Sequence, residues 1–151
     1  MKINSFAYFF VLILLFSLSS CKKEIVTNTK SPEQILTANS WQPGELRALE
    51  ANATFYYKRN VTNAWNLDIE YVLFKPDFTG TYGDASGPTF SITWNFTNAE
   101  KTGIRWVIQY PQPVTINWEG VIYAESKLIY TQFLTRSNGT NSLASGFRIP
   151  R

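Results

Sequence analysis

The fold of this chain is decided by the stretch TFSITWNF, Thr89–Phe96, in which apolar and polar residues alternate without a break. Successive side chains of an extended strand point to opposite faces, so the even-numbered residues of this stretch share one apolar face. Such alternation is typical of an antiparallel strand that has one face in a core and the other in water. The stretch therefore predicts a β protein.

The same alternation continues on both sides of this stretch. It is clearest in Ile104–Tyr110 and Val114–Trp118, where every second residue is aliphatic or aromatic. Turn-forming residues such as Pro76-Asp77 and Ser137-Asn138-Gly139 separate the apolar segments. Many short strands joined by turns predict an all-β barrel or sandwich. Further strands are expected at Glu45–Ala51, Ala53–Lys58, Leu67–Lys75, Gly120–Ala124, Leu128–Leu134 and Leu143–Ile149.

One short helix is expected before the strands. Ser31-Pro32-Glu33-Gln34 supplies a capping serine, a proline at the first helical position and a glutamine that completes a capping box. We expect the helix to run from Ser31 to about Ala38.

Composition excludes several classes of function. The chain has no histidine, so the usual general base at neutral pH and the commonest zinc ligand are missing. Lysine and arginine number 14 against 11 aspartates and glutamates, and they form no basic stripe of the kind that binds nucleic acid. We therefore expect no nucleic-acid partner, no cofactor, no metal and no enzymatic activity.

Four carboxylates are the remaining candidates for chemistry. Asp68 and Glu70 lie two residues apart on an expected strand and would share a face, as a glycosidase pair could. An exposed strand edge explains them equally well. Asp77 and Asp84 flank a turn and could hold calcium, but aspartates that stabilise turns are far commoner.

The N-terminus predicts export and lipidation. Lys2 precedes the thirteen-residue apolar run Phe6–Leu18, which is short of the roughly 20 residues that cross a bilayer. The run ends in Leu18-Ser19-Ser20-Cys21, which resembles the lipobox of bacterial lipoproteins. This resemblance implies that residues 1–20 are removed and that Cys21 is acylated, whereas an ordinary signal peptide is the alternative.

Residues 21–30 then form a polar tether to the membrane. Lys22 after the cysteine favours the outer membrane, and Lys22-Lys23-Glu24 loosely resembles a signal for export to the cell surface. The expected location is the cell envelope, on the periplasmic face of the outer membrane or on the cell surface, with the membrane as a partner through the N-terminal lipid.

Residues 31–151 resemble the lipocalin-like domains that are common in lipoproteins of Bacteroidota. The resemblance rests on Ile35-Leu36, on Trp41 in the first strand and on the hairpin Phe74–Tyr82. It implies an up-and-down barrel of about eight strands after a short helix, with a β-sandwich as the alternative. It also implies that Trp41 closes one barrel end under an arginine, which would be Arg148 or Arg136. The chain departs from the family pattern at two glycines, where it has Asn39 and Phe78.

The aromatic residues give the candidate site. If the apolar faces point inward, seven side chains line one interior: Tyr71, Phe90, Trp94, Trp106, Ile108, Trp118 and Tyr130. An eight-stranded barrel either holds one small ligand or is filled by its own side chains. The chain is therefore expected to be a monomer that binds a small hydrophobic molecule, or else a filled barrel that docks an envelope protein or glycan.

Overall fold

A computed structural model describes residues 30–50, 53–61, 63, 65–135, 139 and 141–151. The chain is almost entirely β-structure after one short helix, α1, at Pro32–Leu36. The strands that follow are β1 (Ser40–Glu50), β2 (Ala53–Lys58), β3 (Tyr71–Phe74), β4 (Thr79–Gly83), β5 (Thr89–Phe96), β6 (Ile104–Ile108), β7 (Val114–Ala124), β8 (Lys127–Thr135) and β9 (Asn141–Pro150).

The strands form a closed antiparallel barrel. From β3 to β9 each strand pairs with the next one in the chain, and β9 returns to pair with β1 along Trp41–Glu50. Eight strands close the barrel and β2 is an additional strand. The predicted all-β barrel of about eight strands with a short helix is confirmed, and the β-sandwich alternative is excluded.

Helix α1 forms as its capping residues predict. The Ser31 hydroxyl accepts from the Gln34 backbone, and the Gln34 side chain accepts from the Ser31 backbone. The helix buries Ile35 and Leu36, and the Trp41 indole donates to the Leu36 carbonyl at 2.8 Å. Because these residues belong to the barrel core, α1 covers one end of the barrel, which we term the closed end.

Strands β2 and β3 lie one after the other along the same edge of β1. Strand β2 pairs with Glu45–Glu50, and β3 pairs with Ser40 and Trp41. The described residues between 59 and 70, which we term the bridging segment, therefore interrupt what would be one continuous strand. Within the described residues β2 pairs only with β1, so its other edge has no strand beside it. The bridging segment follows β2 on this open side.

Side-chain hydrogen bonds hold the bridging segment in place. The Arg59 guanidinium donates to the carbonyls of Pro43, Leu67 and Asp68, and the Tyr57 hydroxyl donates to Asp68 at 2.7 Å. These bonds explain why the strand expected at Leu67–Lys75 begins only at Tyr71. Residues 67–70 form a turn closed by a hydrogen bond from the Glu70 N–H to the Leu67 carbonyl.

Another difference from the sequence prediction concerns β7. The two strands expected at Val114–Trp118 and Gly120–Ala124 are a single strand, with a bulge where its pairing to β8 shifts between Glu119 and Ile122. Gly120 has a φ of 59°, a left-handed conformation that glycine adopts without strain.

The core fills the closed end with large side chains. Phe74 contacts Trp94, Trp106 and Trp118 edge-on, with ring centroids 5.6–6.0 Å apart. Such edge-to-face contacts add to the burial energy of each ring. The other buried residues at this end are Ile35, Leu36, Trp41, Val72, Ile104, Val121 and Leu128.

The predictions for residues 1–29 lie outside the described residues, and so does Arg136. They include the signal peptide, the acylated Cys21 and most of the tether. In the part of the chain that is described, no helix has the length and apolar character needed to cross a bilayer.

Candidate ligand cavity

A cavity of about 270 Å³ occupies the barrel interior at the end opposite α1. Its wall is mainly apolar, with a few polar groups from the strands and the bridging segment. The lining residues are Leu46, Ala48, Glu50, Trp65, Leu67, Glu70, Tyr82, Trp106, Ile108, Tyr110, Val114, Ile116, Gln132, Leu134, Ser142, Ala144 and Arg148. Mostly apolar concave sites with a few placed polar groups are typical of small-molecule binding, and this volume lies just below the lower limit of about 300 Å³ for such sites.

Small residues on β1 and β9 create this space. Ala48 and Ala144 are direct partners across the two strands, and Ser142 lies two residues before Ala144 on the same face. At the closed end the inward positions of the same two strands carry Trp41 and Arg148. The change from large to small inward residues along one strand pair therefore sets where the filled part of the barrel ends.

A buried ion pair forms the floor of the cavity. Arg148 pairs with Glu70, and the side chains are only 5% and 13% exposed. The guanidinium also donates to the Tyr130 hydroxyl at 3.2 Å and to the Trp41 carbonyl at 3.3 Å. Buried charges of this kind are tolerated when they are paired and hydrogen-bonded, as they are here.

The floor also shifts two pKa values. Burial opposes the charge on Arg148, but Tyr130 and Glu70 outweigh it and hold the pKa of Arg148 above its ordinary value. Burial raises the pKa of Tyr130. At neutral pH Arg148 is therefore charged and Tyr130 is neutral.

One side of the wall carries a chain of hydroxyl groups. The Tyr110 hydroxyl donates to Asp84 at 2.8 Å and interacts with the Tyr82 hydroxyl. Burial raises the pKa of Tyr82, and burial together with the Asp84 hydrogen bond raises the pKa of Tyr110. Both phenols are therefore neutral hydrogen-bonding groups at physiological pH.

Two neighbouring tryptophans differ in how their indole N–H groups are satisfied. Trp118 donates to the Gln132 side chain at 2.9 Å and stacks on Tyr130 at 4.2 Å between centroids. Trp106 is fully buried and lines the cavity, but its Nε1 has no partner. An unpaired buried donor is rare in native proteins and calls for an explanation.

The structure brings together only some of the seven predicted site residues. Trp106 and Ile108 line the cavity, whereas Trp118 and Tyr130 are packed beneath it in the closed end. Phe90 is not part of the wall and packs on Tyr110, at 4.3 Å between centroids, and against the core.

Trp94 and Tyr71 lie away from the cavity. The Trp94 indole donates to the carbonyls of Lys75 and Thr79 and so holds the turn between β3 and β4. The expected inward position of Tyr71 is wrong, because Val72 and Phe74 take the inward positions of β3. The Tyr71 ring covers Gly83 and lies under the Arg151 guanidinium at 4.3 Å on the outer face.

The predicted end closure by Trp41 and Arg148 takes a different form from the one expected. Both residues are buried at the closed end, but the Arg148 guanidinium lies over the Trp118 ring at 5.6 Å. Arg148 contacts Trp41 through the backbone carbonyl, and the Trp41 indole is engaged by α1. The cation–π partner of the arginine is thus Trp118.

The four candidate carboxylates have structural partners. Asp68 accepts from Tyr57 and Glu70 pairs with Arg148, and both residues lie in the turn before β3 and not on one strand face. Asp77 and Asp84 each accept from the backbone N–H and the hydroxyl of the residue two positions later, Thr79 and Ser86. Among the described residues no group of three or more carboxylate, histidine or cysteine side chains converges to hold a metal ion.

Sequence reasoning missed most of the cavity wall. Leu46, Ala48, Ser142 and Ala144 carried no aromatic signal, although small inward residues on two strands indicate unfilled space. Glu70 was considered only with Asp68, because its ion pair with Arg148 joins residues 78 positions apart.

The fold and the cavity together define a small antiparallel β-barrel that is packed at one end and hollow at the other. No protein-family model matches the chain, and no curated protein is significantly similar to it.

Proposed function

We propose that this barrel binds one small, largely apolar molecule without transforming it. The observation that supports the proposal is the cavity of about 270 Å³, whose wall combines aliphatic and aromatic side chains with a few oriented polar groups. Trp106 and Ile108 would desolvate the ligand from one side, and the Arg148–Glu70 pair would limit its depth. Trp65, which stacks on Phe55 at 4.4 Å, would cover it from the bridging segment.

We further propose that the protein acts in the bacterial cell envelope as a lipid-anchored member of the lipocalin-like domains. Support comes from the lipobox-like Leu18-Ser19-Ser20-Cys21 and from a barrel architecture compatible with that family. Several acyl chains on Cys21 would hold the protein at the membrane stably, whereas one chain alone binds only marginally.

Native mass spectrometry tests ligand binding directly. The chain starting at Lys22 keeps every contact described above. It would be secreted by a bacterial host and purified without detergent. We expect a reproducible added mass that is lost on denaturation. A bare polypeptide mass from several expression hosts, together with no binding of small aromatic probes, would contradict the proposal.

Membrane anchoring is tested by changing the lipidation site. Cys21→Ala should move the full-length protein from the membrane fraction to the soluble fraction and abolish labelling by a palmitate analogue. Thr27→Ala, in the tether, is the matched control and should leave both readouts unchanged. Retention of Cys21→Ala in membranes would argue against a lipid anchor.

A second candidate function is docking of an envelope protein or glycan, and one feature of the outer surface favours it. Leu49, Leu143 and Phe133 are adjacent on β1, β9 and β8, and they are 48%, 43% and 40% exposed. Contiguous exposed apolar residues often mark interaction surfaces. Leu143→Ser should abolish cross-linking to such a partner in cells but leave the added ligand mass unchanged. Ala144→Leu should abolish the added ligand mass but leave the cross-linking unchanged.

A further inference from the structure

We propose that the closed end of the barrel rests on the membrane that carries the lipid anchor, with the Phe78 ring inserted among the lipids, so that the cavity opens on the side away from this membrane. The inference rests on the proposed lipid anchor and specifies how the anchored barrel is oriented. It combines the place where the tether joins the barrel, the side chain that the closed end exposes, and the balance of charge around that side chain.

The tether joins the barrel at its closed end. Lys30, the first described residue, directly precedes the Ser31 cap of α1, the helix that covers this end. The Lys30 ammonium also contacts the Glu125 carboxylate, in the turn between β7 and β8, at 2.7 Å. The nine residues from 22 to 30 span no more than about 30 Å even when fully extended. The lipid on Cys21 would therefore hold the closed end nearer to the membrane than the cavity end.

Phe78 is exposed at this end in a strained conformation. It lies in the turn between β3 and β4, and together with residues of α1 it lines a groove at the closed end. Its backbone φ is 62°, a left-handed conformation that is strained for a bulky residue. The ring packs on Trp94 at 5.0 Å between centroids, yet Phe78 is still 50% exposed. Glycine would suit this turn better, so the needs of the turn do not explain the phenylalanine.

The position of Phe78 at the tip of the closed end suits a contact with lipid. In the described part of the chain, the other exposed large apolar residues lie within strands or in the bridging segment. The turn between β4 and β5 at the cavity end, residues 84–88, reads Asp-Ala-Ser-Gly-Pro and exposes no large apolar side chain. Lipid against the closed end would remove the exposed half of the Phe78 ring from water, which is favourable.

Charges at the closed end nearly cancel. Lys30 pairs with Glu125 and Lys101 pairs with Glu33, each at 2.7 Å. The other charged side chains in or next to the turns β3–β4, β5–β6 and β7–β8 are two of each sign: Lys75, Lys127, Asp77 and Glu100. We therefore expect the contact to depend on the apolar ring and only weakly on salt or on anionic lipid.

This orientation determines where the ligand is exchanged. The cavity lies at the end opposite α1, so its mouth would face the aqueous compartment and not the anchoring membrane. A ligand would therefore be taken up from that compartment, or from a partner within it.

Electron paramagnetic resonance of the full-length, lipidated protein tests the orientation. Cys21 is the only cysteine and the proposed lipidation blocks its thiol, so a single introduced cysteine can carry a spin label. Pro76→Cys places the label in the closed-end turn beside Phe78, and Ala85→Cys places it in the cavity-end turn as the matched control; both positions are exposed.

The labelled proteins are placed in nanodiscs of phosphatidylethanolamine and phosphatidylglycerol. We expect the label at position 76 to collide often with oxygen, which concentrates in lipid, and rarely with a water-soluble nickel chelate. The label at position 85 should show the reverse. Added salt should leave this difference unchanged.

A pair of variants isolates the ring, with the label kept at position 76. Phe78→Gly removes the ring and relieves the strained φ. It should lower the ratio of docked to undocked protein about fivefold, the factor expected for burial of half a phenylalanine side chain. Phe133→Ser is the control, because it removes a ring that is 40% exposed on β8, away from the closed-end turns. It should leave the ratio unchanged.

The outcomes separate this inference from the proposed anchor. Equal access of the nickel chelate to both labels in the lipidated protein would overturn the inference but leave the anchor. A label at position 85 that lies in lipid, or an unchanged ratio in Phe78→Gly, would also overturn it. Spin labelling of the protein without an introduced cysteine would reveal a free Cys21 thiol and count against the anchor and the inference together. The comparison of positions 76 and 85 needs no change at Phe78, so the test holds even if Phe78→Gly does not fold.

Discussion

The closed end and the cavity end of this barrel are built from the same strands, yet only one of them is filled. Both ends follow the alternation of apolar and polar residues, and both bury tryptophan. At the closed end β1 and β9 point Trp41 and Arg148 inward, whereas at the cavity end they point Ala48 and Ala144 inward. Alternation thus determines which face is inside, and the size of the inward residues determines whether that inside is occupied.

The two ends also differ in how completely their polar groups are paired. Arg148 at the boundary makes three side-chain donations, and the Trp118 indole has its own acceptor. Trp106, one strand away, has none. The unpaired indole thus belongs to a residue of the cavity wall, whereas the paired indole belongs to the packed closed end.

The largest expected effect breaks the ion pair at the boundary between the two ends. Arg148→Met leaves Glu70 buried without its partner, and loss of one member of a buried pair costs about 3–5 kcal/mol of unfolding free energy. Chemical denaturation followed by tryptophan fluorescence measures this cost.

The double variant Arg148→Met with Glu70→Gln provides the control for that measurement. It removes both charges and should recover a large part of the loss, because no uncompensated charge remains. A single variant within about 0.5 kcal/mol of the unmodified protein would show that the pair is not buried as described.

The next largest effect compares the two tryptophans directly. Trp118→Phe breaks the bond to Gln132 and leaves its acceptor unpaired, whereas Trp106→Phe removes a donor that has no partner. In the ligand-free protein we expect Trp118→Phe to be more destabilising by about 1–3 kcal/mol. Equal losses in unfolding free energy would indicate that the Trp106 indole has a partner after all.

A third pair of variants enlarges one side chain at the closed end and one side chain at the cavity end. A Cβ at Gly80, on the strand that pairs with β3, would lie 2.0 Å from the Leu73 carbonyl oxygen. Gly80→Ala should therefore cost about 1–3 kcal/mol. Ala144→Leu extends into the cavity and should change stability by less than about 1 kcal/mol while abolishing the added ligand mass in native mass spectrometry. Strong destabilisation by Ala144→Leu would mean that the cavity end is already packed.

The smallest expected effect is the dependence of stability on pH that comes from ionisation of the tyrosines. Burial and the hydrogen bond to Asp68 raise the pKa of Tyr57 to about 12, and burial raises the pKa of Tyr123 and Tyr130. Because these pKa values lie above the unfolded value of about 10, their contribution to stability is complete below about pH 10 and is lost as pH rises through the folded values.

Alkaline unfolding tests this contribution. Stability should show no tyrosine-dependent loss up to about pH 10, and tyrosinate absorbance should rise together with loss of the fold at higher pH. Complete titration of the tyrosines near pH 10 in a still-folded protein would contradict their burial.

The sequence predicted the architecture more closely than the site. The alternating residues of Thr89–Phe96 and the cap at Ser31 are local signals, and the strand formed and the helix began where expected, although the helix ends at Leu36 and not near Ala38. The strand expected at Leu67–Lys75 was too long, because Arg59 holds residues 67 and 68 in a turn from a distance. Tyr71 was assigned to the wrong face because its register depends on β1 and β4.

By itself the sequence determined that this chain forms β-strands, which residues of most strands share a face, and where the short helix begins. Periodicity and capping act over a few neighbouring residues, so the order of residues is sufficient for them. Tertiary structure alone decided that Trp106 borders a cavity while Trp118 packs below it, and that Glu70 pairs with Arg148. Closure of the sheet brings these distant residues together, and only then does the volume of each side chain determine whether the interior is filled.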